Sequence, residues 1–429
     1  MGASVKQNRF MELEGLRVIA AIVVVLYHAA LIFYPGYFYG VGTPWAPVQN
    51  MFLEDNLYQN PLSGLLSGTF AVGIFFVLSG FVLSIGFFQK KDINIIKKLA
   101  AKRYFRLMLP ALASVLIAWF IIATGLADTM AQTVAITQSG WLGRLWTFPP
   151  DFISAIHQGL IGVFVNGQVN YNPVLWTIRH EFIGSFIIFG SLLLFASSRH
   201  RWVVYAILLF AFSTSWLLGF ITGMILADIY VNRQDVYRKL NSKYTYLAIA
   251  AGVVLAGYPA GVVTSFIYKS LQVDWLQGTT QYQSFYTAVG ATILVAGILS
   301  LPRLKSFFAH PKISGFSKYT YSLYLIHMPV LFTVCTGSFV LFITKFGFHT
   351  SSVLAIATML VALIGATYLF EKYIDAPSIK FSSYCTDIYL GKRDLKLNLI
   401  STWIWFKNVK SMLMPQREVE VSDIFPEAE

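Results

Sequence analysis

The sequence predicts an all-α polytopic membrane protein, a bundle of about ten transmembrane helices with both termini on the cytoplasmic side. Three observations lead there. The 429 residues are 56% hydrophobic and only 12% charged, with a mean hydropathy of +0.62. Apolar runs long enough to cross a bilayer recur from residue 18 to about residue 370. The basic residues are sorted between the two sides of those runs.

Apolar length places spans at 16–34, 66–88, 106–126, 175–196, 202–213, 214–231, 245–265, 283–301, 319–344 and 351–371. With the N-terminus inside, 28 of the 32 Lys and Arg residues fall on the cytoplasmic side, and only Arg144, Arg179, Lys269 and Lys345 fall outside. A net charge of +12 therefore calls for no nucleic-acid partner. The first run has the charged start of a signal peptide but no small-residue cleavage pattern, and it ends in the aromatic stretch IFYPGYFYG, so it reads as a retained span. Residues 152–166 are apolar but short and lack a basic flank, which suggests a re-entrant or interfacial helix on the outer side. The apolar stretch 202–231 is broken at Ser213-Thr214-Ser215 and flanked by Arg199, Arg201 and Arg233, which fits two short helices meeting at the break.

The membrane domain is expected over 1–377, followed by a cytoplasmic tail over 378–429. Within the tail, 395–413 mixes apolar, aromatic and basic residues as an interfacial helix does, and the end is acidic. The outer segments 35–65 and 127–174 are rich in Tyr, Trp, Pro, Asn and Gly, a composition shared by sugar-stacking caps and by the aromatic belts of membrane interfaces. Cys335 and Cys385 fall in different regions of this topology and imply no disulfide. The seven histidines show no ligand spacing, so no metal is expected.

The chemistry-bearing residues begin in the first span. Eleven residues separate Arg17 from His28, about three turns, so both lie on nearly one face with roughly 16 Å of rise between them. An ionisable group near mid-bilayer is costly and marks a functional-site candidate, although packing and one hydrogen bond would also satisfy a histidine there.

Five stretches occur in order: Arg17-x10-His28, the run from Phe75 through Ser79 to Phe81, Arg103-x-x-Arg106 before Pro110, Leu175-Trp-Thr-Ile-Arg-His-Glu181, and Tyr321-Ser-Leu-Tyr-Leu-Ile-His327-Met-Pro329. Together they resemble the acyltransferase 3 family of integral membrane O-acyltransferases, over residues 12 to about 377. The resemblance implies transfer of an acyl group, usually acetyl from acetyl-CoA, onto a hydroxyl of a carbohydrate or other cell-envelope acceptor by a multi-pass protein of the cell or plasma membrane. Many relatives carry a second, exported domain, for which this tail is too short and on the wrong side.

On that reading His28 is the base, since an imidazole accepts a hydroxyl proton near neutral pH. Arg17 at the cytoplasmic edge would hold a phosphate or carboxylate, or else pair with Glu12 or Glu14. Arg103 and Arg106, on one face of the helix expected to begin there, suit the phosphates of acyl-CoA, or else serve only as inside charge. Ser79 is grouped with this cofactor side, though with Gly73, Gly80 and Ser84 it also fits a stripe permitting close helix packing. His327 lies at a depth like that of His28, as a second functional group or a hydrogen-bonding partner. Glu181, expected at the outer end of its span, either pairs locally with Arg179 and His180 or serves the acceptor. Glu371 would answer one of the arginines. A transporter would also place charges within a ten-helix bundle, but the single break at 213–215 has no counterpart in the other half.

Overall fold

The computed structural model describes residues 10–50, 58–240 and 242–391. The interfacial helix expected at 395–413 and the acidic end lie outside them. Among the described residues the structure is helical, with one isolated bridge between Thr43 and Ala46. In chain order the apolar helices are α1 (Met11–Phe33), α2 (Gly68–Lys90), α3 (Ile93–Ala123), α4 (Phe152–Val165), α5 (Pro173–Phe195), α6 (Arg201–Ala211), α7 (Leu218–Asn232), α8 (Lys243–Ala256), α9 (Thr279–Ser300), α10 (Pro311–Ile343) and α11 (Phe348–Tyr389). Seven of them, α1 to α3, α5 and α9 to α11, are long and apolar enough to cross a membrane, and the other four are shorter.

The expected break at 213–215 is real, since α6 and α7 meet there through a turn. Other boundaries move. Helix α3 begins at Ile93, capped by the Asp92 side chain, so Arg103 and Arg106 sit inside a helix rather than at its start. Lysine and arginine form helices well, and the basic residues ahead of the span expected at 106–126 are helical from Ile93 on. Helix α8 stops at Ala256, well short of 265, where Gly257, Pro259 and Gly261 follow in quick succession. Helix α11 runs past 371 to Tyr389 through a π-helical turn over Glu371–Asp375.

Helix α2 is the most enclosed of the long helices and forms the axis of the bundle. Its small residues explain how. A Cβ at Gly80 would strike the Phe220 carbonyl of α7, one at Gly223 would strike Val77, and one at Gly73 would strike Thr287 of α9. Ser84 is fully buried and turns its hydroxyl to the Gly80 carbonyl at 2.7 Å. Three of the four residues expected to permit packing do so. Ser79 does something else, described below.

Helix α4 runs antiparallel to α3, with Phe152 against Trp119, Gly159 close to Leu112, and Leu160 accepting from the Tyr104 hydroxyl at 2.8 Å. The chain then doubles back, and Tyr171 ties the two ends of the excursion by accepting from Asp151 N at 2.9 Å and donating to Asp151 O at 2.7 Å. Residues 152–166 thus form a short helix that packs along α3 before the chain returns to the start of α5. This return also sets where α5 starts. Asn172 donates to Ser114 Oγ at 3.1 Å and to Leu325 O at 2.9 Å, and Ser114 lies nine residues, about 13 Å, from the end of α3. Helix α5 therefore begins within the bundle.

The α6–α7 pair is pinned by Asp228, which is fully buried and bound by Arg201 Nε at 2.6 Å and by the Tyr205 hydroxyl at 3.0 Å. Asp228→Ala removes the counter-charge and leaves Arg201 and Tyr205 to find other partners, a loss of about 3 kcal/mol for a pair of this kind. Thermal denaturation in detergent is expected to show a midpoint several degrees below wild type. An unchanged midpoint would show that Asp228 does not pin the pair.

Candidate active site

Two groups of side chains lie one above the other between α1, α2, α3, α5 and α10. The first lines a cavity of about 370 Å³. Arg17, Ser79, Arg103, Arg106, Glu181 and Glu371 all face it, so all the residues singled out in the sequence for a site except the two histidines share one space. Glu181 is therefore not at an outer helix end. Starting α5 inside the bundle carries Glu181 down to the level of Arg103, and its ion-pair partner is Arg103 rather than its neighbour Arg179. Ser79 Oγ donates to the other carboxylate oxygen of Glu181 at 2.7 Å, so this serine orients a carboxylate instead of packing helices. Arg106 pairs with Asp375 Oδ1 at 2.5 Å and lies over the Tyr321 ring at 4.9 Å. Arg17 pairs with Glu14 at 3.1 Å, while Glu12 pairs with Lys305 at 3.1 Å.

Glu371 is the carboxylate expected to answer one of the arginines, but it is not the one that holds Arg106. That one is Asp375, one turn further along, brought round by the π-helical turn that Glu371 opens; Glu371 itself faces the cavity. The acids on the lining are Glu14, Glu181, Glu371 and Asp375. Against them stand Arg17, Arg103, Arg106 and Lys318, so the cavity is formally neutral.

The second group is a histidine pair. His28 Nδ1 and His327 Nε2 are 3.1 Å apart. His28 Nδ1 is also 2.9 Å from the Val24 carbonyl, and His327 Nδ1 is 2.8 Å from the Tyr324 carbonyl. A carbonyl only accepts, so in neutral rings both Nδ1 atoms carry the proton. The His28 N–H is then shared between Val24 O and the bare His327 Nε2. That leaves His28 Nε2 with its lone pair unused, the state a general base requires.

The fold aims both rings. Pro329 has no N–H to offer the carbonyl four residues back, Leu325 O, and Asn172 supplies the missing donor. A π-helical turn over Leu331–Cys335 follows. On the other side the Trp141 ring stacks on His28 at 5.5 Å, and the loop carrying it is held to α1 by Ser139 Oγ donating to Leu31 O at 2.7 Å.

Tyr324 joins the two groups. It lines the cavity, its ring centroid is 5.9 Å from that of His327 and 6.0 Å from that of Phe75, and its hydroxyl lies 2.8 Å from Thr177 Oγ1 while donating to Val174 O at 3.0 Å. Polar cavity and histidine pair are thus stacked along α10 through Tyr321, Tyr324 and His327, spaced three residues apart. A family model described as an acyltransferase domain matches residues 11–372, which takes in all of these side chains except Asp375. The chain belongs to the acyltransferase 3 family. No curated protein and no solved structure matches it.

Membership makes this chain a membrane-bound acyltransferase, with an acyl donor and a hydroxyl acceptor, and decides for acyl transfer over transport. Among the described residues of this acyltransferase no group of three His, Cys, Asp or Glu side chains is placed to hold a metal ion. Asp375, Tyr324, Asn172, Thr177 and Trp141 are the residues about the site that sequence reasoning did not single out. Tyr324 and Thr177 had a signal, each standing in a stretch already picked out.

Proposed function

We propose that the protein transfers an acyl group, acetyl from acetyl-CoA in the first instance, from the cytoplasmic side to a hydroxyl of a carbohydrate or other cell-envelope acceptor. The observation that carries this reading is the histidine pair, in which His327 holds the His28 Nδ1 proton and leaves Nε2 free. His28 Nε2 takes the acceptor's hydroxyl proton as the oxygen attacks the thioester carbonyl. The C–O bond forms, the C–S bond breaks, and the proton passes on to the departing thiolate, which leaves as coenzyme A. His28 is the catalytic base, and His327 positions it. Arg17, Arg103 and Arg106 act on the donor side, and Glu181 and Ser79 set the position and charge of Arg103.

The same reading places ten crossings and both described ends of the bundle on the cytoplasmic side. It rests on the 28-to-4 division of basic residues. Single cysteines at Gln132, Asp274, Asn94 and Lys243, in a Cys335→Ala, Cys385→Ala background, test it in intact cells with an impermeant maleimide. Labelling is expected at Gln132 and Asp274 only. Reaction at Asn94 from outside would reverse the topology and remove the cytoplasmic route to Arg103. The reaction itself is tested by incubating purified protein with labelled acetyl-CoA and cell-envelope extract. Label is expected in an acceptor carrying new ester-linked acetyl, and its absence from every extract fraction would refute the reading.

A further inference from the structure

Neither His28 nor His327 lines the polar cavity, whereas Tyr324 does, with its ring centroid 5.9 Å from that of His327. The arginines are close to the cavity's inner end, because Arg106 lies against Tyr321, six residues and about 9 Å of rise below His327. A donor anchored by its phosphates at that level must run its pantetheine arm along α10 and present its acyl end first at the level of Tyr324. The wall there is aromatic and braced. Phe75 meets Tyr324 edge-on, Phe76 packs against Trp176 and Phe220, and the Tyr324 hydroxyl is fixed at Thr177 and Val174.

We infer that Tyr324, with Phe75, sets the size of the acyl group this enzyme transfers, and that the donor it takes carries a short acyl chain. The inference rests on the donor side and the base assigned above. An acyl group that passes the Tyr324 ring arrives beside the histidines, since that ring's centroid is 5.9 Å from that of His327. Each added methylene must be accommodated against Phe75, Phe76 and Tyr324, whose rings have packed neighbours behind them, and overfilling such a wall is unfavourable. The aperture therefore discriminates by length before any chemistry occurs.

The test is a chain-length series measured within each variant, so that a loss of folded protein cancels. Wild type is expected to transfer acetyl at least about tenfold faster than hexanoyl from their CoA thioesters at equal concentration, a discrimination of the size a filled apolar wall provides. Tyr324→Ala is expected to bring the two rates to within about threefold of each other, and Tyr324→Phe, which keeps the ring, to preserve the wild-type preference. A wild type that transfers hexanoyl as fast as acetyl overturns the inference, and so does a Tyr324→Ala enzyme with an unchanged ratio. A second measurement does not need turnover: calorimetric affinities of S-ethyl-CoA and S-hexyl-CoA thioethers for the purified protein in detergent. Wild type should favour the ethyl form and Tyr324→Ala should not. If the thioethers bind with this pattern while no acyl group is transferred, the base assignment fails and the gauge stands. If transfer proceeds with no length preference in either assay, the gauge fails and the acyl-transfer reading stands.

Discussion

His28→Ala lowers acyl transfer by about 10²- to 10⁴-fold, the range a positioned general base contributes, and leaves the protein folded in the membrane. The substitution removes one half-buried ring and introduces no clash. It leaves the Val24 carbonyl to its place in the α1 hydrogen-bond ladder and His327 Nε2 without a donor, a modest cost beside the loss of the base. His327 acts through His28, so its variants should grade. His327→Gln retains an acceptor for the His28 Nδ1 proton and should lose less activity than His327→Ala. Because the base must be unprotonated, wild-type kcat/KM falls as pH falls through its pKa, and this acidic limb should shift in His327→Ala. A His28→Ala enzyme with wild-type rates would remove the base from the mechanism.

How much of this site could be seen in the sequence depends on whether a feature is local. Arg17 and His28 share a helix face by arithmetic, and both face the site. The helices themselves follow from apolar length, and the α6–α7 break from three small polar residues in a row. The meeting of His28 with His327 was not legible, because no periodicity says which helices of a bundle are neighbours. The depth of Glu181 was misjudged for a related reason. Counting residues from the expected outer surface assumes that a helix starts there, whereas the excursion of α4 and the two hydrogen bonds of Asn172 draw the start of α5 down to Ser114 and Leu325. Asp375 was hidden by a boundary. The last span was ended at 371, and the helix runs on through a π-helical turn that delivers Asp375 to Arg106.

The arginines show a further limit of sequence reading. Inside charge, structural ion pair and phosphate ligand all ask for the same residue type at the same end of a helix. The sequence supported Arg103 and Arg106 as phosphate ligands, and the structure adds a carboxylate to each, in a cavity whose formal charges cancel. An anionic donor must then compete with Glu181 and Asp375 for the guanidinium groups. This competition has a use, because a site closed by its own ion pairs is not left as a bare, desolvated cluster of positive charge between turnovers.

It also dictates how the arginines have to be tested. Arg103→Ala alone strands the Glu181 carboxylate, side chain 16% exposed, beside a half-buried serine, and the resulting destabilisation of about 3–5 kcal/mol would obscure any effect on donor binding. The double variant Arg103→Gln, Glu181→Gln removes both charges and keeps hydrogen-bonding groups for Ser79, so it is the informative enzyme. If Arg103 holds a donor phosphate, this variant folds as wild type and its KM for acyl-CoA rises roughly 10- to 100-fold, the equivalent of one charge-assisted contact of about 1.5–3 kcal/mol, while KM for the acceptor moves little. The single variant Glu181→Gln should do the reverse. It frees Arg103 from its competitor, lowers KM for acyl-CoA, and steepens the salt dependence of donor binding because one more unpaired positive charge faces the ligand. Dephospho-CoA thioesters separate which phosphate is held, since a donor lacking that phosphate should be insensitive to both changes. If KM for acyl-CoA is the same in wild type, Glu181→Gln and the double variant, the Arg103–Glu181 pair is a strut between α3 and α5, and the donor's phosphates must be held elsewhere on the basic end of the bundle.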